Sequence, residues 1–199
     1  MPEPLKTHLE ISDGALSSER YGDDYLSEFR RIILAYVQPA TRQYLEWGAG
    51  NTSLAIAQMR DELNVDRLIS IDDNAEYLDA VRRQLSAWSG FEAHCMDLRG
   101  PKASDRDPEP NYATLPLTWD RAFDFIYIDG RRRLECALVA AIISRPHTIV
   151  VLHDYRRARY QPVKALFEVI EDGPQFRVMK AKDRLDRQAL NAGGNAAPG

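Results

Sequence analysis

The sequence predicts an α/β fold, a three-layer αβα sandwich built around a mostly parallel sheet of six or seven strands. Short apolar runs alternate with segments that have the three-and-four spacing of amphipathic helices, as in parallel βαβ units. Two glycines follow the first apolar run, and four of the first five predicted strands run into acidic residues. The 199 residues, 44% of them hydrophobic, suit one domain over residues 1–190, with an N-terminal arm over 1–20 and a disordered tail over 191–199.

The first half of the chain alternates helices and strands. Residues Tyr25–Val37 have apolar side chains at helical spacing, and Pro39 ends this helix. The segment Tyr21–Phe29 either closes over a ligand as a lid or simply packs against the sheet. The elements that follow are a strand at Tyr44–Trp47, a helix from Leu54, a strand at Arg67–Ile71, a helix at Ala75–Trp88 and a strand at Phe91–Cys95.

The second half begins with a proline-rich surface loop, predicted for Arg99–Asp120, which can form part of a substrate rim. The run Phe123–Ile128 is apolar on both faces apart from Asp124, as in a central parallel strand. Asp183–Leu190 is an alternative for a last antiparallel strand, although its leucines are sparse. The elements between these two segments are a helix at Arg132–Ser144, a strand at Thr148–Leu152, a helix at Pro162–Glu171 and a strand at Phe176–Met179.

Composition limits the partners of the protein. A net charge of −4 and a pI near 5.6 give no overall attraction to polyanions, so neither nucleic acid nor an anionic membrane is an expected partner. No apolar run reaches the roughly 18 residues of a membrane span. No signal pattern follows Met1, so we expect a cytoplasmic protein that acts on a small molecule. Cys95 and Cys136 lack the spacing of a zinc site, and the oligomeric state stays open, with a homodimer among the alternatives.

The turn after the first strand indicates a ligand site, because ligands of open parallel sheets bind beyond the carboxyl ends of the strands. Gly48 and Gly50 allow the backbone to turn sharply and approach a ligand, and Glu46 can hold a cationic group. Ser53 stands where a dinucleotide-binding turn places its third glycine, so the turn is unlike that motif. Asp72, at the end of the second strand, suits a pair of ribose hydroxyls, whether the ligand is a dinucleotide or another nucleoside-containing cofactor.

The segment Leu45–Ser53 (LEWGAGNTS) resembles the first motif of class I S-adenosylmethionine (SAM)-dependent methyltransferases. Its EWGSG-type form is that of the glucuronoxylan O-methyltransferase family and its bacterial relatives. The likeness continues through Ile69–Asp72, Phe123–Gly130 and Val151–Tyr155, and the last two segments also resemble macrocin-type sugar O-methyltransferases. The resemblance, over residues 43–160, implies a Rossmann-like fold, SAM as the cofactor and methyl transfer to oxygen.

Carried over residue by residue, the resemblance implies a set of cofactor-binding residues. Glu46, Gly48 and Gly50 would line the methionine and ribose of SAM, and Asp72 would bind the ribose hydroxyls. The other implied contacts are the polar side chains of Asn51 and Thr52, Asp97 near the adenine, and Asp129 facing the methyl group.

Two acidic residues that end neighbouring strands are the candidate catalytic residues. The carboxylates of Asp129 and Asp154 can meet in one cleft, where they could deprotonate an acceptor hydroxyl or hold a divalent cation. The positions of Asp129 and Asp154 resemble those of metal-dependent O-methyltransferases, but the resemblance is incomplete. Tyr155 stands where catechol-type enzymes have asparagine, and Arg131–Arg132 stands where macrocin-type enzymes read IDGDH. A divalent metal is therefore an alternative that the sequence does not favour. His153 is a further candidate base, ranked behind Asp129, since imidazole titrates near neutrality.

Arginines are concentrated after the fourth and fifth strands, at Arg131, Arg132 and Arg133 and again at Arg156, Arg157 and Arg159. They predict a basic rim around the pocket. Such a rim would suit an anionic acceptor, such as a uronate or a phosphorylated sugar. The alternative is that several of these arginines merely pair with surface acids.

Three functions are compatible with these observations. The first is a SAM-dependent methyltransferase acting on an oxygen of a small polar acceptor, which includes carbohydrates. The second is a methyltransferase-like protein that keeps the fold but serves as a binding or regulatory module without turnover. The third, an NAD-dependent oxidoreductase, explains Asp72 but neither Ser53 nor the Asp129–Gly130 pair. DNA and RNA amino-methyltransferases are disfavoured, because Asp129–Gly130 is not followed by two prolines and an aromatic residue.

Overall fold

The structure, a computed structural model, describes residues 23–37, 42–96, 98 and 110–182. Within these ranges seven strands form a single sheet, and four α-helices lie on its faces. The strands are β1 (Gln43–Trp47), β2 (Arg67–Asp72), β3 (Phe91–Cys95), β4 (Phe123–Ile128), β5 (Ser144–His153), β6 (Phe167–Asp172) and β7 (Phe176–Ala181). The helices are α1 (Asp23–Tyr36), α2 (Asn51–Met59), α3 (Ala75–Gln84) and α4 (Arg133–Ile143), with two 3₁₀ helices at Leu115–Thr118 and Ala158–Ala165.

The strand order is β3-β2-β1-β4-β5-β7-β6, and the five strands from β1 to β5 are parallel. The order runs outward from β1 towards β3 on one side and from β4 towards β6 on the other. The crossover between β1 and β4 is therefore the point where a ligand site is expected. β7 is antiparallel to both β5 and β6. The predicted fold class, with a mostly parallel sheet, is confirmed.

The two faces of the sheet are covered by different helices, since alternate strand residues point to opposite faces. On one face Tyr44, Phe125 and Val151 contact α1 and α2. On the other face Leu45, Ile126 and Val150 belong to the core formed with α4 and the second 3₁₀ helix. The result is the three-layer sandwich that the alternation of elements predicts.

Helix α1 packs on one face of the sheet and also contacts the β6–β7 hairpin. The ring centroids of Tyr25 and Phe176 are 5.0 Å apart. The backbone N–H of Gln175 donates to Glu28, and Arg31 pairs with Glu171. The packing alternative for this part of the chain is therefore observed, and Tyr25 also reaches the ligand site described below.

The segment 158–172 differs from its predicted form. Instead of a helix at Pro162–Glu171, the chain forms the second 3₁₀ helix, which contains Pro162, followed by the edge strand β6. Val169 and Ile170 are β-branched residues that favour a strand. The β6–β7 turn closes with a hydrogen bond of 2.8 Å from Gly173 N to Phe176 O. Asp183–Leu190, the alternative last strand, lies outside the described residues.

The prediction of a surface loop over Arg99–Asp120 is wrong for the last part of that segment. Tyr112 and Ala113 are fully buried, and Leu115–Thr118 forms a 3₁₀ helix. Tyr112 enters the core because its backbone carbonyl accepts a hydrogen bond of 2.9 Å from the buried indole N–H of Trp47. Residues 99–109, the predicted arm and the predicted tail lie outside the described residues. Within the described ranges no helix is both long and apolar enough to cross a membrane.

Two aliphatic residues of α1 provide a test of its packing. Ile32 is fully buried, whereas Leu34, two positions away, is 50% exposed. We expect Ile32→Ala to lower the free energy of unfolding by about 2–5 kcal/mol, because it leaves a cavity between α1 and the sheet. Leu34→Ala is the matched control and should change it by no more than about 0.5 kcal/mol. Equal losses in urea unfolding would show that α1 is not packed as described.

Candidate active site

The carboxyl ends of β1 and β4 approach each other closely. The carbonyl of Trp47 accepts hydrogen bonds from Asp129 N at 2.9 Å and Gly130 N at 2.7 Å. Gly48 has a φ of +100°, and a Cβ placed there would lie 2.6 Å from Gly130 N. A Cβ at Gly130 would lie 1.9 Å from the hydroxyl of Tyr112. Neither position has space for a Cβ, so glycine is required at both. At Gly48 the positive φ is a second reason.

A cavity of about 420 Å³ opens above this contact, within the range of small-molecule sites. The six predicted cofactor residues that line it are Gly48, Gly50, Asn51, Thr52, Asp72 and Asp129. Residues not predicted as part of the cofactor site also line it, among them Tyr25, Tyr77, Arg131 and Arg133. Asp97, the predicted neighbour of the adenine, lies outside the described residues.

Asp72 is held rigidly at the end of β2. Its Oδ2 accepts from Ala49 N at 3.0 Å and its Oδ1 from Asn74 N at 2.9 Å. Burial raises the pKa of Asp72, while these backbone N–H groups lower it. Each oxygen still has acceptor capacity beyond its backbone bond. The carboxylate can therefore accept two hydroxyl hydrogen bonds from a ligand in the cavity.

Glu46 lies beneath the cavity and is not part of its lining. The carboxyl group is fully buried and accepts hydrogen bonds from the hydroxyls of Ser53, Ser70 and Thr52. Ser53 in turn accepts from Gly50 N at 2.9 Å, which fixes the start of α2. Burial raises the pKa of Glu46 to about 7, although the three hydroxyls lower it. In this arrangement Glu46 supports the glycine turn from below.

The carboxylate of Asp129 contacts four side chains at the other end of the cavity, three through hydrogen bonds and Arg133 through an ion pair. Its Oδ1 lies 2.6 Å from His153 Nδ1 and 2.8 Å from Arg133 Nη2. Its Oδ2 accepts from the hydroxyl of Tyr25 at 3.0 Å and from that of Tyr127 at 3.1 Å. The two tyrosine hydroxyls are also within hydrogen-bond distance of each other. Because each hydroxyl has one proton, two of these three contacts can be hydrogen bonds at any one time. Burial, followed by the negative charge of Asp129, raises the pKa of Tyr127 well above its usual range. Tyr127 therefore stays protonated and acts as a hydrogen-bond donor.

The guanidinium of Arg133 lies between the two predicted catalytic carboxylates. Its Nη1 is 3.4 Å from Asp154 Oδ2, and it also donates to the backbone carbonyls of Gly130, Asp129 and His153. Asp154 has a φ of +57° and pairs with Arg157 at 2.6 Å, and it does not line the cavity. Arg133 thus supplies the positive charge that a metal ion would bring to this pair. No cluster of three or more metal-ligating side chains occurs among the described residues.

His153 lies behind Asp129. Its side chain is buried, with ring centroids 5.1 Å from Tyr25 and 5.2 Å from Phe176. An ionised carboxylate only accepts hydrogen bonds, so Nδ1 carries a proton in the contact with Asp129. His153 is therefore placed to orient Asp129, and a direct contact with a ligand in the cavity would need it to move.

The site residues predicted from the sequence do not include Tyr25, Tyr127 or Arg133, all of which contact Asp129. Tyr25 lies in the segment Tyr21–Phe29, for which a lid over the ligand was one of two alternatives, but it was not predicted as a site residue. Tyr127 sits in an apolar strand and carried no signal of its own. Arg133 was visible only as one member of the predicted basic rim. Its actual pairing depends on the turn that starts α4, which brings the guanidinium back over the ends of β4 and β5.

No protein-family model matches the sequence, and no curated protein matches it significantly. Solved methyltransferase structures share the fold. The N-methyltransferase NodS from Bradyrhizobium japonicum in complex with S-adenosylhomocysteine (SAH) matches with a TM-score of 0.54 and 13% identity, over 82% of this chain and 91% of NodS. CalS11, a TDP-rhamnose 3′-O-methyltransferase of calicheamicin biosynthesis, matches with a TM-score of 0.59 and 12% identity, over 81% of each chain.

A third match is the ribosomal protein L11 methylase from Lactobacillus delbrueckii subsp. bulgaricus, with a TM-score of 0.53 and 13% identity, over 80% of this chain and 78% of the methylase. The names of these three proteins differ in the group that receives the methyl. At such identities the likeness shows the fold, and it confirms the Rossmann-like architecture. The nearer resemblance to EWGSG-type enzymes stays a prediction.

Glu46 gives a prediction about the pH dependence of stability. Its pKa is raised from 4.5 to about 7 in the folded protein, so the unfolded chain releases this proton at lower pH than the folded protein does. Stability should therefore fall as pH rises through that window, by on the order of 3 kcal/mol, and level off above it. Glu46→Gln keeps the neutral shape and should remove this part of the slope in urea unfolding.

The matched control is Glu62→Gln, at an exposed position. It should leave the pH profile of the wild-type protein unchanged. A Glu46→Gln profile that runs parallel to the wild type across the window would contradict the raised pKa.

Proposed function

We propose that the protein is a SAM-dependent methyltransferase that transfers the methyl group to a hydroxyl oxygen of a small polar molecule. One observation carries the proposal. A single cavity at the sheet crossover has a carboxylate suited to ribose, Asp72, at one end and the hydrogen-bonded Tyr25–Asp129 pair at the other. A cofactor and an acceptor could therefore meet between them.

The cofactor end of the cavity fits SAM in three respects. The turn from Gly48 to Gly50 brings backbone close to the ligand without side chains in the way. The first backbone N–H groups of α2, at Asn51 and Thr52, suit the carboxylate of the methionine part. Asp72 would hold the ribose hydroxyls. When bound, SAM supplies a methyl group on a positively charged sulfur that becomes a neutral thioether on transfer.

The acceptor end of the cavity supplies a route for the proton of the acceptor hydroxyl. The hydroxyl of Tyr25 lines the cavity and donates to Asp129 Oδ2. An acceptor hydroxyl that donates to Tyr25 can pass its proton to the tyrosine oxygen while the tyrosine proton moves to Asp129. The acceptor oxygen then keeps the electron pair with which it bonds the methyl carbon.

The positive charge of Arg133 takes a positioning role in this proposal. It contacts both Asp129 and Asp154 and is held by three backbone carbonyls. Asp129 is thereby fixed with Oδ2 towards Tyr25. This arrangement favours transfer without a divalent metal, because an arginine already occupies the position between the two carboxylates.

One observation favours a second candidate function, a binding or regulatory module without turnover. The carboxylate of Asp129 is already hydrogen-bonded to His153 and to the tyrosine hydroxyls and is paired with Arg133, so a ligand in the cavity could contact it directly only by displacing one of these groups. Such a module would bind the cofactor but release no SAH. The two candidates therefore differ in turnover and agree in cofactor binding.

The proposed function predicts that the protein binds SAH. We expect SAH to bind the protein in calorimetry and Asp72→Asn to weaken it by about tenfold to hundredfold, because a charged acceptor of ribose hydroxyls becomes a neutral amide. Asp66→Asn, at the opposite end of the sheet, is the matched control and should bind SAH like the wild type. NAD should not bind.

Two results would contradict the assignment of SAM as the cofactor. One is the absence of SAH binding to the wild-type protein, and the other is tight NAD binding that Asp72→Asn abolishes. The second result would instead support the oxidoreductase.

The role of Tyr25 gives a prediction about rate. With an acceptor found by screening polyols and sugar phosphates for SAH release, Tyr25→Phe should lower kcat by about tenfold to hundredfold, because the proton route is cut. The affinity for SAH should stay within about twofold, since Tyr25 does not contribute to the proposed ribose contacts.

Tyr36→Phe is the matched control, since Tyr36 lies on the same helix but donates to Glu171. It should leave kcat unchanged. If both variants lose the same activity, Tyr25 acts only through the packing of α1. If no acceptor in the screen releases SAH from a protein that binds SAH, the module without turnover is the better description.

A further inference from the structure

A second groove, of about 340 Å³, lies beside the cofactor cavity and shares Gly130, Arg131 and Arg133 with it. We call it the arginine groove, after the five arginines in its lining, which are Arg131, Arg132, Arg133, Arg157 and Arg159. We propose that the arginine groove binds a phosphoryl group of the methyl acceptor. The proposal rests on the proposed function and names the class of acceptor, a phosphorylated polyol or sugar.

Two of the five arginines are committed to internal contacts. Arg133 is only 11% exposed in its side chain and pairs with Asp129 and Asp154. Arg132 pairs with Glu135 at 3.1 Å and donates to the carbonyl of Leu98. These two therefore form the wall of the groove and contribute little charge to a ligand.

The other three arginines keep donors for a ligand. Arg131 is 71% exposed, and Asp73, its ion-pair partner, lies 3.9 Å away. Arg157 is 54% exposed and shares Asp154 with Arg133. Arg159 stacks on Tyr160, with its guanidinium carbon 4.8 Å from the ring centroid, and has no acidic partner among the described residues. The groove thus has more positive than negative charge, in a chain whose net charge is −4.

The arginines at the start of α4 are costly to the fold. Arg132 precedes the helix in a left-handed conformation with φ +47°, and Arg133 is its first residue. The positive end of a helix dipole disfavours cations at this position, and a left-handed backbone is unfavourable for arginine. Arg131 gains only a long, exposed ion pair there. An anionic ligand would offset this cost, because it adds the missing negative charge beside the helix N-terminus.

The arrangement of the three arginines favours a phosphoryl group over a carboxylate. A carboxylate has two oxygens and can be satisfied by one guanidinium in a bidentate pair. A phosphoryl group has three oxygens and up to two charges, and it accepts donors from several directions. Arg131 comes from the turn after β4, whereas Arg157 and Arg159 come from the segment after β5. Donors from two segments suit the tetrahedral group, and its attached hydroxyls could then extend towards Tyr25.

The test uses inorganic phosphate as the probe, with malonate as the carboxylate for comparison, in calorimetry on the full chain at constant ionic strength. The variant is Arg157→Gln with Arg159→Gln, because neither residue lines the cofactor cavity. The matched control is Arg42→Gln with Arg145→Gln, which removes the same charge at the amino ends of β1 and β5. We expect phosphate affinity to fall at least about tenfold in the groove variant and less than twofold in the control.

Equal phosphate affinity in the groove variant and the control would overturn the proposal. Malonate binding as tight as phosphate binding would overturn the choice of a phosphoryl group. SAH is titrated into the same proteins and should bind all three equally. Absence of SAH binding to the wild-type protein would count against the proposed function. The phosphate titration tests anion binding in the groove independently of that result.

Discussion

The backbone contact between the ends of β1 and β4 is the constraint on which the rest of the structure depends. The carbonyl of Trp47 accepts two N–H groups from the start of the β4–α4 turn, and neither Gly48 nor Gly130 has space for a Cβ. This contact keeps both turns in place where the strand order reverses. The cavity lies between the start of α2 and the start of α4.

The protein stabilises two carboxyl groups near this contact in different ways. Glu46 is surrounded by hydroxyls and has no cation among its hydrogen-bond partners, so its burial raises its pKa to about 7. Asp129 has the charge of Arg133 beside it and hydrogen bonds with Tyr25, Tyr127 and His153. The first arrangement suits a residue that only supports backbone. The second suits a residue that faces a ligand, because its orientation is fixed before the ligand arrives.

The elements that follow strong local patterns were predictable from the sequence. The parallel strands, α1 and the glycine turn have clear periodicity or spacing. One cavity is lined by six of the predicted cofactor residues, whose role in binding stays a prediction, and they are Gly48, Gly50, Asn51, Thr52, Asp72 and Asp129. The edge strand β6 was not predictable from apolar periodicity, because it is largely exposed. Tyr25 and Arg133 escaped prediction for a different reason: their contacts join residues distant in sequence or depend on the path of one turn. Periodicity reports which face a residue occupies, and not which polar atom its side chain reaches.

The junction between α1 and the β6–β7 hairpin has a consequence for the order in which the two halves of the site can form. The residues that line the cavity near Asp72 come from one stretch of the chain, between Gly48 and Tyr77, and the contact with β4 holds the start of this stretch in place. Tyr25, at the other end of the cavity, is held against Phe176, so its position depends on both the first and the last described elements. A chain that lacks the β6–β7 hairpin would therefore lose a contact that holds Tyr25 beside Asp129, whereas the backbone hydrogen bonds of Asp72 would remain. The wall of the cavity is thus complete only when the last described strands are in place.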